Sequence, residues 1–434
     1  MAFFHLPMLL LLFFCWSTLE LAGFNPLIQE LPGSSSEGRS VSVDDFGAKG
    51  DGYTDDTKAF GDAWLFACSS PYKRIIEIPA GKVYLVKPID FAGPCKSKLT
   101  LLIMGTIIAP PDPKIWDGQN TRKWLYFHGI RRLIVAGGGT INGMGQKWWS
   151  QSCKINKTKP CQHAPTAITF HRTKHLIIQE LTLMNSQQMH MSFTNCFHVK
   201  ASRMKLVAPP YSPNTDGIHI SASTSVVIQD STIETGDDCI SVVSNSSNVR
   251  IRNIACGPGH GISIGSLGKS RSLSQVHDVR VDGAFISNTE NGVRIKTWQG
   301  GCGFVSNIVF HNIFMRNVSN PIIIDQYYCD SPHQCANQTS AVKVEDVSFI
   351  GIKGTSATEN AIKFACSDSF PCERIFLEDI CLAFSGGEPT SYCWKASGLS
   401  FGLVHPPSCL SSSEHLNLNK TNGFPASQYA AVRI

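Results

Sequence analysis

Six ionisable side chains with complementary chemistry fall within one stretch of the chain, residues 214–296. They occur in the motifs NTDG, GDDC, GHG and RIK and are Asp216, Asp237, Asp238, His260, Arg294 and Lys296. Clustered carboxylates cannot all stay ionised at low cost, so the pKa of at least one is expected to rise. Glycosidic cleavage requires such a set, with one carboxylic acid for the leaving oxygen and one carboxylate to activate water.

The intervals between these motifs indicate how the side chains meet. Asp216 precedes Asp237 by 21 positions. Asp238 precedes His260 by 22 positions, and Arg294 follows that histidine by 34. Solenoid repeats run from about 20 to 50 residues, and stacked strands lie about 4.8 Å apart. Residues from successive turns of a solenoid would therefore form one patch on a single sheet face.

A repeated pattern, apolar-x-x-apolar-x-apolar, supports the same architecture. Its copies begin at Ile178, Ala201, Ile228, Ile251, Val281, Phe310, Val344 and Leu377. The steps between copies stay between 23 and 34 residues, and helical periodicity is nearly absent. We therefore predict an all-β fold, a right-handed parallel β-helix of roughly ten turns. A β-sandwich or barrel with coincidental spacing is the alternative.

The 434 residues are predicted to form one folded domain, because a solenoid grows in one dimension. An apolar run over residues 8–16, followed by small residues, predicts a secretory signal in residues 1–23. Residues 24–40 are rich in Pro, Gly and Ser and are predicted to be a flexible lead-in. Residues 41–434 would be the β-helix domain, with a short helix from Thr57 to Cys68 capping its open end.

The sixteen cysteines support an oxidising compartment. Loss of Cys15 with the signal leaves an odd number, so at least one thiol is free or pairs between molecules. Close spacing suggests local bridges, and Cys239 and Cys256 would lie on adjacent turns. The other suggested pairs are 153–161, 329–335, 366–372 and 393–409. The last pair would tie down a tail, since the repeat fades from about residue 385.

Composition limits the partners and modifications of the chain. The formal net charge of +5 favours a polyanionic partner, but the sequence lacks the dense Lys/Arg clusters of a nucleic-acid surface. An acidic polysaccharide is therefore the expected polyanion. No C-x-x-C pair or His-rich spacing suggests zinc, so no metal is predicted. Five sequons are possible glycan acceptors in a secreted protein, at Asn156, Asn245, Asn317, Asn337 and Asn419.

Two cations alternate with an apolar residue in the RIK motif. Arg294 and Lys296 would share the outer face of a strand while Ile295 points into the core. They suit a substrate that carries its own carboxylate, which arginine can bind bidentately. The alternative is that they only neutralise the aspartates. In IDQYYC, one ring of the tyrosine pair is predicted to stack on a sugar, and Tyr328 is favoured.

The four motifs, in this order and spacing, resemble those of plant-type polygalacturonases, the family 28 glycoside hydrolases that cut pectin's α-1,4-linked galacturonic acid backbone. FGAKGDG, GPGHGISIGSLG, RIKTWQGG, IDQYYC and GTSATENAIKFAC extend the resemblance over nearly the whole mature chain. The resemblance implies a right-handed parallel β-helix, no metal or cofactor, and hydrolysis by single displacement with inversion.

The resemblance also implies a role for each site residue. Asp237 would be the general acid, Asp216 and Asp238 would activate water, and His260 would assist by holding the protonation state of the acid. The substrate-binding residues would be Asn214, which helps to place the sugar, Arg294 and Lys296, which bind its carboxylate, and Tyr328, which matches the tyrosine of the family.

The resulting expectation is a secreted, monomeric hydrolase of homogalacturonan that cuts internal bonds in the plant cell wall. Pectin is its expected partner; no nucleic acid and no membrane span are expected. An exo-acting enzyme, or one acting on rhamnogalacturonan or xylogalacturonan, is the nearest alternative. A calcium-dependent pectate lyase and a wall-binding protein without catalysis are further alternatives.

Overall fold

A computed structural model describes residues 39–158, 160–331 and 333–412. Thirty strands lie in these ranges: β1 Arg39–Ser42, β2 Asp51–Asp55, β3 Arg74–Ile78, β4 Val83–Leu85, β5 Ile89–Ala92, β6 Leu99–Ile103, β7 Thr106–Ile108, β8 Lys123–His128, β9 Arg131–Ala136, β10 Thr140–Asn142, β11 Thr166–His171, β12 Lys174–Gln179, β13 Thr182–Met184, β14 Met191–Thr194, β15 Phe197–Ser202, β16 Lys205–Val207, β17 Ile218–Ser221, β18 Thr224–Glu234, β19 Ile240–Val242, β20 Ser246–Cys256, β21 Ile262–Leu267, β22 Leu273–Ser287, β23 Asn291–Trp298, β24 Cys302–Val318, β25 Asn320–Tyr328, β26 Lys343–Ser356, β27 Asn360–Ala365, β28 Cys372–Phe384, β29 Thr390–Trp394 and β30 Ala396–His405.

The strands coil into a right-handed parallel β-helix, which confirms the predicted fold class. One sheet contains eleven strands, and we call its outer surface face 1: β5, β8, β11, β14, β17, β19, β21, β23, β25, β27 and β29. The other nineteen strands form a sheet that wraps around a corner, because β18 pairs with both β15 and β16. We call the surface of this sheet before that corner, over β9, β12, β15 and the first half of β18, face 2.

Alternation along each strand separates the core from the surface. In face 1, Ile220, Val242, Ile264 and Ile295 occupy equivalent positions on successive turns, point inward and are fully buried. β-branched side chains fit such a pleated surface well. The neighbouring residues in sequence point outward because side chains alternate along a strand. The inward residues therefore build the core, and the outward ones are available for chemistry.

Two α-helices accompany the strands in the described ranges, α1 at Thr57–Cys68 and α2 at Gln146–Gln151. Short 3₁₀ helices span Val43–Phe46, Pro113–Trp116 and Lys269–Arg271. The helix α1 has the predicted bounds and covers the first turns of the coil. Its Trp64 ring lies 5.1 Å from that of Phe91 and 5.6 Å from that of Phe127. The predicted N-terminal cap is therefore confirmed.

The structure corrects the predicted start of the folded domain and the predicted position of one repeat. The strand β1 begins at Arg39, inside the stretch predicted to be a lead-in, and its Arg39 pairs with Arg74. The repeat copy placed at Val344 is wrong, because Phe310 pairs with Phe349 while Val344 pairs with Val305. A long connection precedes β26, and two stretches of that strand fit the same apolar pattern.

The repeat also continues past residue 385, where the sequence pattern fades. The strands β29 and β30 pair in parallel with β27 and β28, and so extend the coil to His405. Their pattern is weak because, within the described residues, no further turn packs against β30, and Leu399 and Phe401 are exposed. The predicted signal, residues 24–38 of the lead-in, and residues 413–434 of the tail with Asn419 lie outside the described residues.

The described cysteines form all five disulfides that spacing suggested, 153–161, 239–256, 329–335, 366–372 and 393–409. A sixth, Cys68–Cys95, ties α1 to the first turns and was not predicted. Its 27-residue separation spans the short strands β3, β4 and β5, so no simple spacing rule indicates it. Cys196 and Cys302 carry free thiols.

Candidate active site

The predicted site residues converge on face 1. Asp216, Asp238 and His260 each stand two residues before the first buried isoleucine of β17, β19 and β21, at the edge where these strands begin. Arg294 and Lys296 lie on β23. Tyr328 ends β25, at the opposite edge of the sheet. The face-1 strands are in register, so residues spread over more than 80 positions occupy neighbouring turns.

Close backbone packing shapes the edge where the carboxylates lie. Between β18 and β19 the chain bends at Gly236, and a Cβ there would lie 2.1 Å from the carbonyl oxygen of Ser212. Gly261 has a φ of 82°, and a Cβ on it would lie 2.0 Å from the Asn291 carbonyl oxygen. Only glycine fits at these two positions. The bend at Gly236 lets Asp237 and Asp238 serve one site although they are neighbours in sequence.

Asp238 is held as an anion by a buried network. Arg294 donates from Nη2 to Asp238 Oδ1 at 2.7 Å, and Lys296 donates from Nζ to Oδ2 at 2.7 Å. Ser263 donates to Oδ1 at 2.8 Å and accepts from Arg294 Nε at 3.1 Å. Burial opposes ionisation of Asp238, but Lys296 and Arg294 outweigh it and lower its pKa to about 2. This carboxylate therefore stays charged across the range in which enzymes work.

Asp216 occupies a different electrostatic environment. It is buried, and Ser241 donates a hydrogen bond to its Oδ2 at 3.0 Å. Burial, followed by the negative charges of Asp237 and Asp238, raises its pKa well above the ordinary value. Lys296 and the Ser241 hydroxyl act in the opposite direction but are weaker. When ionised, this carboxylate is therefore a stronger base than an ordinary aspartate.

Asp237 is the most exposed of the three carboxylates, with 17% of its side chain accessible. His260 Nδ1 lies 3.1 Å from Asp237 Oδ1, and Asn214 donates from Nδ2 to Oδ2 at 3.4 Å. The other imidazole nitrogen lies 3.3 Å from Glu290 Oε2. Burial lowers the pKa of His260, but Asp237, Glu290 and Asp238 outweigh it and raise this pKa overall. The imidazole is thus biased towards its protonated form.

Tyr328 completes the outer rim of the site. Its ring packs edge-on against that of Trp298, with centroids 5.4 Å apart, and Lys296 Nζ lies 5.3 Å from its centroid. Burial, followed by the charge of Asp330, raises the pKa of Tyr328, so the phenol stays protonated. The ring is held by neighbours on both sides and presents a fixed surface beside Lys296.

Asp237, Asp238 and His260 could in principle hold a metal ion, since their ligand atoms lie within 4.8 Å of one another. Both oxygens of Asp238, however, already accept hydrogen bonds from cations. A divalent ion would have to share that carboxylate with Arg294 and Lys296 at close range. The donor set therefore fits a metal poorly.

Sequence reasoning missed four residues that support the site: His219, Ser241, Ser263 and Glu290. The first three point outward on β17, β19 and β21 in the row that continues to Arg294. His219 Nδ1 lies 2.8 Å from Ser241 Oγ, and burial lowers the pKa of this histidine to about 4. Their spacing of 22 residues is the solenoid step and was available as a signal. Glu290 lies before β23, and no comparable spacing marks it.

Two connections from opposite edges of the sheet meet over face 1. The connection between β10 and β11 lies where the strands begin, and the one between β25 and β26 lies where they end. Lys154 of the first forms an ion pair with Asp330 of the second, and both side chains are more than 40% exposed. Disulfides brace both connections, and β14, β17, β19, β21 and β23 lie between their anchoring strands. The pair therefore links the two flanks across the strands that carry the site.

A second contact of the first connection agrees with this crossing. His163 approaches Arg122 at the beginning of β8, with His163 Nε2 and Arg122 Nη2 2.5 Å apart. Burial, followed by the charges of Arg122 and Lys269, lowers the pKa of His163. Lys269 follows β21 at the opposite edge of the sheet. His163, in the connection between β10 and β11, is therefore influenced by charges from both edges of the sheet.

Comparison with known proteins agrees with this geometry. Residues 68–402 match the family described as Glycosyl hydrolases family 28. A probable polygalacturonase from Arabidopsis thaliana is 60% identical, with 86% of this chain and 84% of that protein covered. A polygalacturonase from Persea americana is 52% identical, with 89% and 82% covered. The solved endo-xylogalacturonan hydrolase of Aspergillus tubingensis superposes with a TM-score of 0.73 at 24% identity, over 85% of this chain and 100% of that one, and shows the shared fold.

Proposed function

The chain belongs to the glycosyl hydrolases family 28, and from this premise we propose that it hydrolyses the α-1,4-galacturonosidic bonds of homogalacturonan with inversion. One observation carries the assignment. Three carboxylates share one site but occupy unlike environments, with Asp238 fixed as an anion, Asp216 raised in pKa and Asp237 facing solvent. Unequal environments are what separate acid from base roles among like groups.

In the proposed reaction, Asp237 is the general acid because it is the most exposed of the three and can approach the glycosidic oxygen. Water attacks the anomeric carbon, its proton passes to Asp216, and Asp237 gives its proton to the departing oxygen as the C–O bond breaks. Asp238 supplies the fixed negative charge that orients the water. His260, biased towards the protonated form, hydrogen-bonds Asp237 and holds it in place.

The substrate carboxylate is proposed to bind at Arg294 and Lys296. Both cations already contact Asp238, so the alternative raised by the sequence, that they neutralise an aspartate, holds in part. Among the described residues, Arg294 Nη1 and two of the three Lys296 protons have no hydrogen-bond partner. These donors support a second, substrate-directed role. Tyr328 would lie against the sugar beside Lys296, and Asn214 would place the sugar next to Asp237.

We propose that cutting is internal. The site spans β17 to β25, and face 1 continues for four strands before β17 and two strands after β25. A polymer lying across the strands therefore has sheet surface on both sides of the cleavage point. This arrangement supports binding of sugars on either side of the bond to be cut, which internal cleavage requires.

Exo action is the second candidate, because the Lys154–Asp330 pair crosses the strands of the site. A crossing that stays closed would admit a polymer only by its end. An exposed ion pair contributes at most about 1 kcal/mol, however, so polymer binding can open it. This low strength is the reason to favour internal cutting.

Product analysis on de-esterified polygalacturonate in chelator tests these proposals together. We expect a rapid fall in viscosity, few reducing ends at that stage and products of mixed length. Monomer release with viscosity retained would identify an exo enzyme, and Lys154→Ala should then shift the pattern towards mixed products. Loss of activity in chelator, with an unsaturated product absorbing in the ultraviolet, would instead identify a calcium-dependent lyase.

The proposal extends to location and assembly, with the enzyme secreted, monomeric and acting in the plant cell wall. The two relatives above come from plants. Four of the five sequons lie in described residues, and none of their asparagines is buried. Within the described part of the chain, no helix is long and apolar enough to cross a membrane. Detection in a wall fraction, and mass in solution, would test both statements.

A further inference from the structure

Face 2 concentrates basic side chains on three adjacent strands. The strands β9, β12 and β15 read RRLIVA, KHLIIQ and FHVKAS and contain no acidic residue. Their exposed basic residues are Arg131, Arg132, Lys174, His175, His198 and Lys200. Arg131 pairs in register with Lys174, and Lys200 with Ile177, so the charges lie on neighbouring turns, whose strands are about 4.8 Å apart. Because they are separated in sequence, no dense basic cluster appears there.

These six residues lack the acidic partners that three cations have farther along the same sheet. None of them forms an ion pair with any residue in the described ranges. On β22 to β28, by contrast, Arg280 pairs with Asp282, Lys343 with Glu345 and Arg374 with Asp346. Like charges on adjacent strands destabilise a sheet. Several uncompensated basic residues on adjacent strands are therefore consistent with the electrostatic footprint of an anionic partner.

The same area offers apolar surface between the charges. A shallow groove crosses β12, β15, β18 and β20, and its lining includes His175, Ile177, His198, Lys200 and Arg250. The two histidine rings stack in parallel with centroids 5.1 Å apart. Ile177 is 37% exposed, and Phe197, on the same strand as His198, is 40% exposed. A groove lined by cations, imidazole rings and an exposed isoleucine suits an anionic chain that also has apolar faces.

We propose that this surface of face 2 is a second binding site for de-esterified homogalacturonan, separate from the catalytic groove. The proposal rests on the proposed function only for the identity of the polymer. Homogalacturonan carries one carboxylate on every sugar, and the CH faces of its rings can pack on Ile177 and Phe197. Binding here would hold the enzyme on pectin between cleavage events and raise the local concentration of bonds to be cut.

The position of the surface allows both sites to be occupied. Only Arg172 and Thr173 separate β11 of face 1 from β12 of face 2, so the two faces meet at a tight corner. The basic residues lie on β9 to β15, whereas the catalytic groups lie at β17 to β25. None of the six belongs to the proposed catalytic machinery. A long polymer bound at one site leaves the other free.

Retention on immobilised polygalacturonate tests the proposal. The test protein carries Asp237→Asn to prevent digestion, and saturating trigalacturonate occupies the catalytic groove. In this background, Lys174→Glu with Lys200→Glu should weaken retention at low salt by about tenfold or more and flatten its salt dependence. The matched control, Lys73→Glu with Lys353→Glu, makes the same change of charge at exposed lysines elsewhere. It should alter retention much less.

Each outcome decides the matter. An equal loss of retention in both double variants would show that only the net charge of the protein matters. Unchanged retention in the face-2 variant would contradict the proposed second binding site. If the face-2 substitutions weakened binding to dextran sulfate more than binding to polygalacturonate, the assignment of pectin as the ligand would be overturned. With Asp237 intact, both variants should cleave trigalacturonate at the wild-type rate and unfold at the wild-type temperature. Failure of all these proteins, wild type included, to cleave pectin would refute the proposed function and leave the retention result standing.

Discussion

The imidazole of His260 is hydrogen-bonded to Asp237, with Nδ1 3.1 Å from Oδ1. The backbone adds a second link, since the His260 N–H donates to the Asp237 carbonyl at 2.8 Å. Side chain and main chain therefore fix the two residues relative to each other, although they lie on successive turns. Movement of either group would displace the proposed acid from the bond that it protonates.

Asp237→Asn should abolish turnover while leaving the fold intact. The amide cannot supply a proton to the leaving oxygen, and general acid catalysis contributes about 10²- to 10⁴-fold to rate. Its Oδ1 can still accept the Asp238 N–H, now bonded at 2.8 Å. Release of reducing ends and the thermal unfolding midpoint are the measurements. A folded variant with unaltered rate would remove Asp237 from the role of acid.

Glu290→Gln should narrow the activity profile on its alkaline side. The charge of Glu290 helps to raise the pKa of His260, so its removal lowers that pKa and deprotonates the imidazole at lower pH. Because the folded-state pKa is raised, the stabilisation from protonated His260 is present below about pH 6.5 and lost as pH rises through the folded value. The variant should therefore lose stability in acid and little above that range.

The check for Glu290→Gln is the pH dependence of kcat/KM together with the titration of His260 by NMR. Glu359→Gln, at an exposed glutamate after β26, is the control. If the pKa of His260 falls but the loss of kcat/KM at alkaline pH stays where it is in the wild type, activity does not depend on the protonated imidazole.

Ser241→Ala should move the acidic limb of activity to higher pH. The Ser241 hydroxyl stabilises the ionised form of Asp216, so its loss raises the already elevated pKa of that carboxyl. A larger share of Asp216 is then protonated, and unable to accept a proton from water, at any given acidic pH. Profiles of kcat against pH measure the shift.

Ser263→Ala is the matched control for Ser241→Ala, because Ser263 makes the equivalent hydrogen bond to Asp238. The pKa of Asp238 is about 2, so a small rise leaves it ionised throughout the measurable range. The acidic limb should stay where it is in the wild type. Equal shifts in the two variants would contradict the assignment of Asp216 as base.

Lys296→Ala should both destabilise the protein and weaken substrate binding. Breaking a buried ion pair costs about 3–5 kcal/mol, and the lower end applies because Arg294 still contacts Asp238. Lys343→Ala removes only partly exposed ion pairs, with Glu345 and Glu373, and should cost less than about 1 kcal/mol. Urea unfolding measures both variants.

The binding part of that prediction uses KM for galacturonate oligomers. Lys296→Ala should raise KM more than Asp44→Ala, which removes a distant carboxylate bonded to Lys82 and Tyr84. If the two substitutions change KM equally, Lys296 serves only to neutralise Asp238.

The sequence predicts the coil well where each turn is of regular length. From Ile178 to Ile251, apolar positions and register agree because short bends leave little freedom between strands. Prediction fails at Val344, where a long connection precedes a strand with two possible frames. It also fails at β30, where the outer turn needs few buried residues. The apolar pattern of a sequence reflects which side chains are buried, and fewer side chains are buried in the end turns of the coil.

For the site, sequence motifs identify the charged groups but not their pairing. Nothing in RIK shows that Arg294 reaches across a turn to Asp238, because that contact depends on the register between β19, β21 and β23. The Lys154–Asp330 pair joins residues 176 positions apart and follows from loop conformation alone. Such contacts require the folded structure.

The register that the centres of strands β19, β21 and β23 keep also bears on how such a protein can change over generations. The step from Ile240 to Ile262 takes 22 residues and the next, to Val293, takes 31, yet both isoleucines keep their partners. Extra residues are absorbed outside the strands, and the catalytic row does not move. Insertions can therefore accumulate in the connections and remodel what the groove accepts. The one-residue register shifts within face 1 lie near strand ends, as between Gly265 and Leu267, and leave the catalytic row in place.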